Sequence, residues 1–230
     1  MCIRDRRRCE GLGVPGQRVV YVPNGIPAGR LAPPDPRRVE GLRAGLGLAG
    51  AQVVAYVGTL SQTTHNVGLL LEAFAIVAAR MPEARLLLAG EGEDRAALQE
   101  QARRLGLGER ALFAGPVAYE SVPAYLALAA CSIDPVGDDP VAAARSPLKI
   151  VESLASGVPV VTGDVGDRAE VLRGSAGVLV APGSAAALAE GIAALLSDRE
   201  RRARMAQAAR ARAADYRWDR LAEDWMRVYG

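Results

Sequence analysis

A doubly wound α/β fold, with a parallel sheet covered by helices on both faces, is what this sequence predicts. Three observations carry the prediction. Short, nearly continuous aliphatic runs recur along the chain, and such runs suit parallel strands buried on both faces. Between them lie segments of helical period with recognisable start and stop residues. The spacing is that of strand–helix–strand units, whose crossovers are right-handed by default. A chain of 230 residues, 50% apolar and 23% charged, can build one such core, and no internal repeat or low-complexity linker divides it.

Taken in order, strands are expected at 19–22, 53–58, 85–89, 111–114, 131–134, 158–162 and 177–180. Asp35 and Pro36 offer an N-cap and a first-turn proline for a helix that ends near Gly45. A helix over 67–81 carries Leu70, Phe74 and Val77 at helical spacing and stops at Pro82. The next runs over 94–105 and ends at Gly106. Further helices are expected at 120–129, 146–155, 184–196, 198–214 and 218–229. Residues 1–18 read poorly as the start of a domain and are taken as a truncated or artefactual beginning, which leaves 19–230 as the domain.

Composition excludes several classes. The net charge of +2 gives little support for a nucleic-acid partner. No apolar run approaches the ~20 residues that span a bilayer. The Arg-rich start has no apolar stretch behind it, so neither a secretion signal nor a transmembrane segment is expected. Cys2, Cys9 and Cys131 are too few and too scattered for a disulfide framework or a metal site, which favours a reducing compartment.

Ligands of such sheets bind beyond the carboxyl ends of the strands. Glycines stand early in most of those loops, at Gly58, Gly90, Gly115 and Gly163, and serve either close backbone approach by a ligand or tight turns. The densest chemistry lies from Asp134 to Val161. Ser146 as N-cap and Pro147 at the first position would open a helix with free N–H groups at Leu148 and Lys149, a ready anion site. Lys149 is the sole lysine among 28 basic residues, and the arginine excess suits a GC-rich coding bias rather than a binding signal. Glu152, three residues on, shares its helical face. A pyrophosphate at the terminus and a ribose hydroxyl on the carboxylate would use all three elements, whereas a surface ion pair would use only Lys149 and Glu152.

Several pieces recur in a familiar order: Val22-Pro-Asn-Gly-Ile26, Tyr56-Val-Gly-Thr-Leu60, Leu69-Leu-Leu-Glu-Ala-Phe74 and Leu86-Leu-Leu-Ala-Gly-Glu-Gly92. Ser146-Pro-Leu-Lys-Ile-Val-Glu152 and a closing Trp218 helix complete them. Together they resemble the C-terminal, donor-binding half of family 4 glycosyltransferases of the GT-B fold, in the branch with a Ser-Pro-Leu-Lys signature. The resemblance implies a Rossmann-like domain and a retaining transfer from a nucleotide-diphosphate sugar, with no metal and no cofactor. It puts the donor ribose on Glu152, the diphosphate on the terminus holding Ser146, Leu148 and Lys149, and the base near Val117. Gly58, Thr59, Arg145 and Gly166 complete the implied donor-binding set, and no catalytic residue is assigned.

Three departures matter. The earlier glutamate of the family's pair would sit at Ala144, with Asp138 or Asp139 as substitutes. The usual arginine after the first strand is Thr59, and the usual lysine beyond it is replaced by His65 and Asn66. Arg145, Lys149 or Arg168 would have to supply the missing phosphate-directed cations. His65 itself reads as a loop-lining or solvated residue, Asp138-Asp139 as a turn and the arginines of 199–212 as a solvated helix.

Enzymes of this fold carry a second Rossmann-like domain ahead of the donor half, so this chain alone is expected not to transfer sugar. The expected partners are a nucleotide sugar, that N-terminal domain, and a glycan, lipid or small-molecule acceptor. The expected place is the cytoplasm, either free or at the inner face of the membrane. An epimerase of the same architecture and a non-catalytic nucleotide-binding module remain the alternatives. Trp218, Leu221, Trp225 and Val228 share one helical face, part of which is expected to be exposed.

Overall fold

Six parallel strands form a single sheet in the order β3-β2-β1-β4-β5-β6. They are β1 (Gln52–Val57), β2 (Ala84–Ala89), β3 (Ala111–Gly115), β4 (Cys131–Asp134), β5 (Val160–Gly163) and β6 (Gly177–Val180). The structure, a computed structural model, describes residues 8–229, with side chains through Arg227. Residues 1–7, part of the start read as artefactual, lie outside the described residues. Chain order reverses between β1 and β4, which pair through Val54–Cys131 and Ala55–Ser132. This is the switch point of the doubly wound sheet, where a crevice opens at the carboxyl ends of the strands.

The helices are α1 (Pro36–Gly45), α2 (Val67–Arg80), α3 (Arg95–Arg104), α4 (Val122–Leu126), α5 (Pro140–Ala144), α6 (Leu148–Ala155), α7 (Arg168–Val171), α8 (Ala185–Ser197), α9 (Arg199–Ala213) and α10 (Trp218–Tyr229). Four begin with a side-chain cap that satisfies the first turn, of which the Asp35 cap is the one expected from sequence; Asp139 caps α5 through Ala142 N (2.8 Å). Asp35 accepts from Arg37 N, Ser184 from Ala187 N and Asp198 from Arg201 N. One sheet face buries Tyr56, Leu86 and Leu88 against Leu70, Phe74 and Ile192 of α2 and α8. The other sets Val160 against Ile150 and Leu154 of α6 and Ala209 and Ala213 of α9.

Two expectations are corrected. Residues 19–22 form no strand. Val19 and Val22 are buried and Val20 is exposed, but the backbone that follows pairs with the chain's end rather than the sheet. Ile26 N donates to Tyr216 O (2.8 Å) and Trp218 N donates to Ile26 O (2.9 Å). The expected helix over 120–129 is a 3-10 turn, Tyr119–Ser121, followed by the single turn of α4. The short helices α5 and α7 were not anticipated. On α10, Leu221 is buried while Trp218 and Trp225 are each 42% exposed, so part of that face is open; the Val228 side chain lies outside the described residues.

Candidate functional site

At the β1–β4 switch point lies the side chain of Lys149, from the first turn of α6, with its Nζ buried. Its ammonium is 3.7 Å from Asp134 Oδ1 and 4.1 Å from the centre of the Tyr56 ring. The side chain is only 17% exposed, and Nζ makes no hydrogen bond among the described residues. Gly58 makes room for it, since a Cβ there would stand 3.1 Å from Lys149 Cε. Burial lowers the Lys149 pKa, and Asp134 opposes that shift while Arg168 and Arg145 add to it.

Asp134 closes β4 and is itself buried. Its Oδ2 accepts a 2.8 Å bond from Arg168 Nε, and Arg168 Nη1 also donates to Ala142 O (2.9 Å) and Val165 O (3.2 Å). Arg168 is 1% exposed, so it is no phosphate-directed cation: its guanidinium is engaged inside the fold. Tyr56 donates its hydroxyl to Thr59 O (2.6 Å), which ties the exposed Thr59 to the crevice floor. Burial, then the charge of Asp134, raises the Tyr56 phenol pKa.

Arg145 forms the other lip. It donates to Thr64 O, and its Nη1 lies 3.5 Å from His65 Nδ1. Burial, then Lys149 and Arg145, push His65 down to about 4, so it is neutral at ordinary pH. The only histidine therefore lines the loop, one of its two expected places, and not open solvent.

Ser146 does not cap α6. Pro147 occupies the cap position, and Ser146 Oγ accepts from Asn24 N (3.1 Å) while Asn24 Nδ2 donates to Ser146 O (3.1 Å). A partner 122 positions away outcompetes the local cap. Leu148 N donates to Ser146 O (3.0 Å), so the expectation of free N–H groups at both Leu148 and Lys149 does not hold for Leu148.

Glu152 is half-buried one turn along α6. Burial raises its pKa, and Arg30, ahead of Lys149, lowers it. No surface ion pair joins it to Lys149, whose ionic partner is Asp134. Arg30 stacks 3.5 Å over the Tyr119 ring and donates to Tyr119 O, beside a 470 Å³ cavity also lined by Pro27, Arg38 and Pro123. Val117 is half-buried against Val122, Leu126 and Val158.

The structure thus gathers Gly58, Thr59, Arg145 and Lys149 at one crevice, with Glu152 one turn away. Gly166 packs closely on α5: its φ is +63°, and a Cβ would come 2.5 Å from Ala143 O. Asp139 caps α5 through Ala142 N (2.8 Å), so it is not a free substitute for the acid missing at Ala144. No group of three metal-ligating side chains occurs among the described residues. Sequence reasoning missed Asp134. The signal was present, because a carboxylate closing an aliphatic run bound for a buried strand demands a cation.

Comparison with known proteins fits this geometry into a wider group. The family model described as glycosyl transferases group 1 matches residues 42–212. The D-inositol 3-phosphate glycosyltransferase of Nocardia farcinica is 34% identical over 234 residues, which cover 97% of this chain and 50% of that protein. A GDP-mannose-dependent alpha-(1-6)-phosphatidylinositol monomannoside mannosyltransferase of Mycobacterium tuberculosis is 31% identical, over 90% of this chain and 54% of its own. The crystal structure of Anabaena HepE in complex with UDP-glucose superimposes with a TM-score of 0.80 at 26% identity, over 97% of this chain and 60% of that one. The chain spans about half the length of the relatives it matches.

Proposed function

The chain belongs to the group 1 glycosyl transferases, and we propose that it forms the donor-binding half of an enzyme that transfers a sugar from a nucleotide-diphosphate sugar, with retention and without a metal. The observation that carries this reading is the Lys149 ammonium at the switch-point crevice, in the first turn of α6. A helix N-terminus with a lysine beside it suits a diphosphate through both dipole and charge. As the bond between the sugar carbon and the phosphate oxygen breaks, negative charge builds on the diphosphate, and Lys149 and Arg145 stabilise it. Glu152 suits a ribose hydroxyl, since its carboxylate is half-buried and accepts no bond from Lys149.

A relative named for GDP-mannose and a neighbour holding UDP-glucose support the nucleotide-sugar class. Acceptor binding falls, in this reading, to the part of the relatives that the chain does not span, so the 230-residue chain binds donor without sustained transfer. None of the described helices is long and apolar enough to cross a membrane. A relative named for a phosphatidylinositol monomannoside supports a working place at a membrane face.

Calorimetric titration with UDP, GDP and pyrophosphate tests the assignment. A charge-assisted phosphate contact is worth about 1.5–3 kcal/mol, so Lys149→Ala weakens whichever nucleotide binds, and pyrophosphate, by tenfold or more. Glu152→Gln weakens the nucleotide and leaves pyrophosphate unchanged. If neither substitution alters affinity, the reading is wrong.

A further inference from the structure

We propose that Asp134 is a positioning residue of this site: clamped by Arg168, it holds the Lys149 side chain at the β1–β4 crevice for the incoming diphosphate. The proposal rests on the reading of Lys149 as the diphosphate cation. Its geometry divides one carboxylate between two cations. Oδ2 takes the short bond from Arg168 Nε, at 2.8 Å, which fixes the carboxylate in orientation. Oδ1 faces Lys149 at 3.7 Å, too long for a hydrogen bond. Lys149 is therefore held by charge and by the Tyr56 face rather than by directional bonds, and its buried Nζ has no hydrogen-bond partner among the described residues.

The groups around the ammonium show why the counter-charge is needed. Tyr56 lies beneath it from β1, Arg168 approaches from α7, Arg145 from the segment before α6 and His65 from the loop after β1. Glu152 lies one turn further along α6 itself. Burial and the two arginines favour loss of the proton, and Asp134 opposes them. Among the described residues, Asp134 is the one carboxylate within 4 Å of both Lys149 and Arg168, and its charge offsets theirs.

Lys149 is the sole lysine, so a tag-free chain carrying 13Cε-labelled lysine gives a single side-chain methylene signal whose titration reads this one group. Asp134→Asn removes the charge and keeps the shape. The expected result is a lowered titration midpoint, in a protein shown to be folded by circular dichroism. UDP and GDP affinity then falls away at a lower pH than in the parent, because the ammonium binds phosphate only below its midpoint. Should the asparagine variant fail to fold, Asp134→Ser carries the same expectation. An unchanged midpoint in a folded variant overturns the proposal, even if Lys149→Ala weakens binding. A lowered midpoint with Lys149→Ala binding as the parent overturns the donor reading instead, and with it the positioning role.

Discussion

Arg168 is the largest fully buried side chain among the described residues, and replacing it tests how the crevice is built. Arg168→Met keeps much of the stem volume and deletes the guanidinium. Three bonds disappear, to Asp134 Oδ2, Ala142 O and Val165 O, and a buried carboxylate loses its short-range partner. Breaking a buried pair in this way costs about 3–5 kcal/mol. Lys149, at 3.7 Å from the other carboxylate oxygen, offsets part of that, so the lower half of the range is expected. For a chain of this size each kcal/mol moves the melting midpoint by about 2–4 °C, which predicts a fall of roughly 6–16 °C. Thermal unfolding followed by circular dichroism measures it. The double variant Arg168→Met/Asp134→Leu should recover much of the loss, because an apolar replacement of a buried pair is often neutral. A single variant that melts within about 2 °C of the parent would refute the reasoning and return Arg168 to the list of cations open to a ligand.

Three further outcomes are expected. Gly90→Ala places a Cβ 1.9 Å from Gly58 O at a φ of +150°, and should cost at least about 3 kcal/mol in urea unfolding; a parental midpoint would show that the two loops can part. The single histidine should titrate near 4 by NMR; since the folded value lies below the unfolded 6.5, stability is lost as pH falls from 6.5 towards 4, and His65→Gln should flatten that slope, whereas a midpoint near 6.5 contradicts the burial. Trp218, Trp225 and Met226 (70% exposed) should make the chain self-associate in sedimentation, and Met226→Glu should weaken this; a strictly monomeric parent at high concentration speaks against it.

Local signals served the fold well wherever the decisive contacts were local. The cap at Asp35, the helix starts at Ser184 and Asp198 and the six sheet strands depend on neighbours within a few residues or on plain apolar continuity. They failed where a distant segment intervened. Residues 19–22 have a strand's composition, yet the segment leads into Ile26, whose backbone pairs with Tyr216 and Trp218, and Gly25 is tight against Leu221. Ser146 has a cap's identity, yet Asn24 claims its hydroxyl. At the site, Lys149 and Glu152 were legible from helical spacing. Their separate partners, Asp134 and the Arg30 corner, were not, because each arrives from another element.

The glycine contacts between the first two strand-end loops have a consequence for how this crevice can be altered. Gly90 abuts Gly58 O and Gly92 abuts Leu60 O, while Gln62 N donates to Asp94 Oδ2 (2.7 Å). At those two glycines the lip is backbone set against backbone. The facing lip is different: α5 is five residues long, Val141 and Ala144 point to solvent, and only its buried side is tied down by Arg168. Attempts to retune ligand preference at the proposed donor crevice should therefore randomise Asp138, Val141 and Ala144 and leave Gly90 and Gly92 untouched, since a Cβ at either runs into backbone.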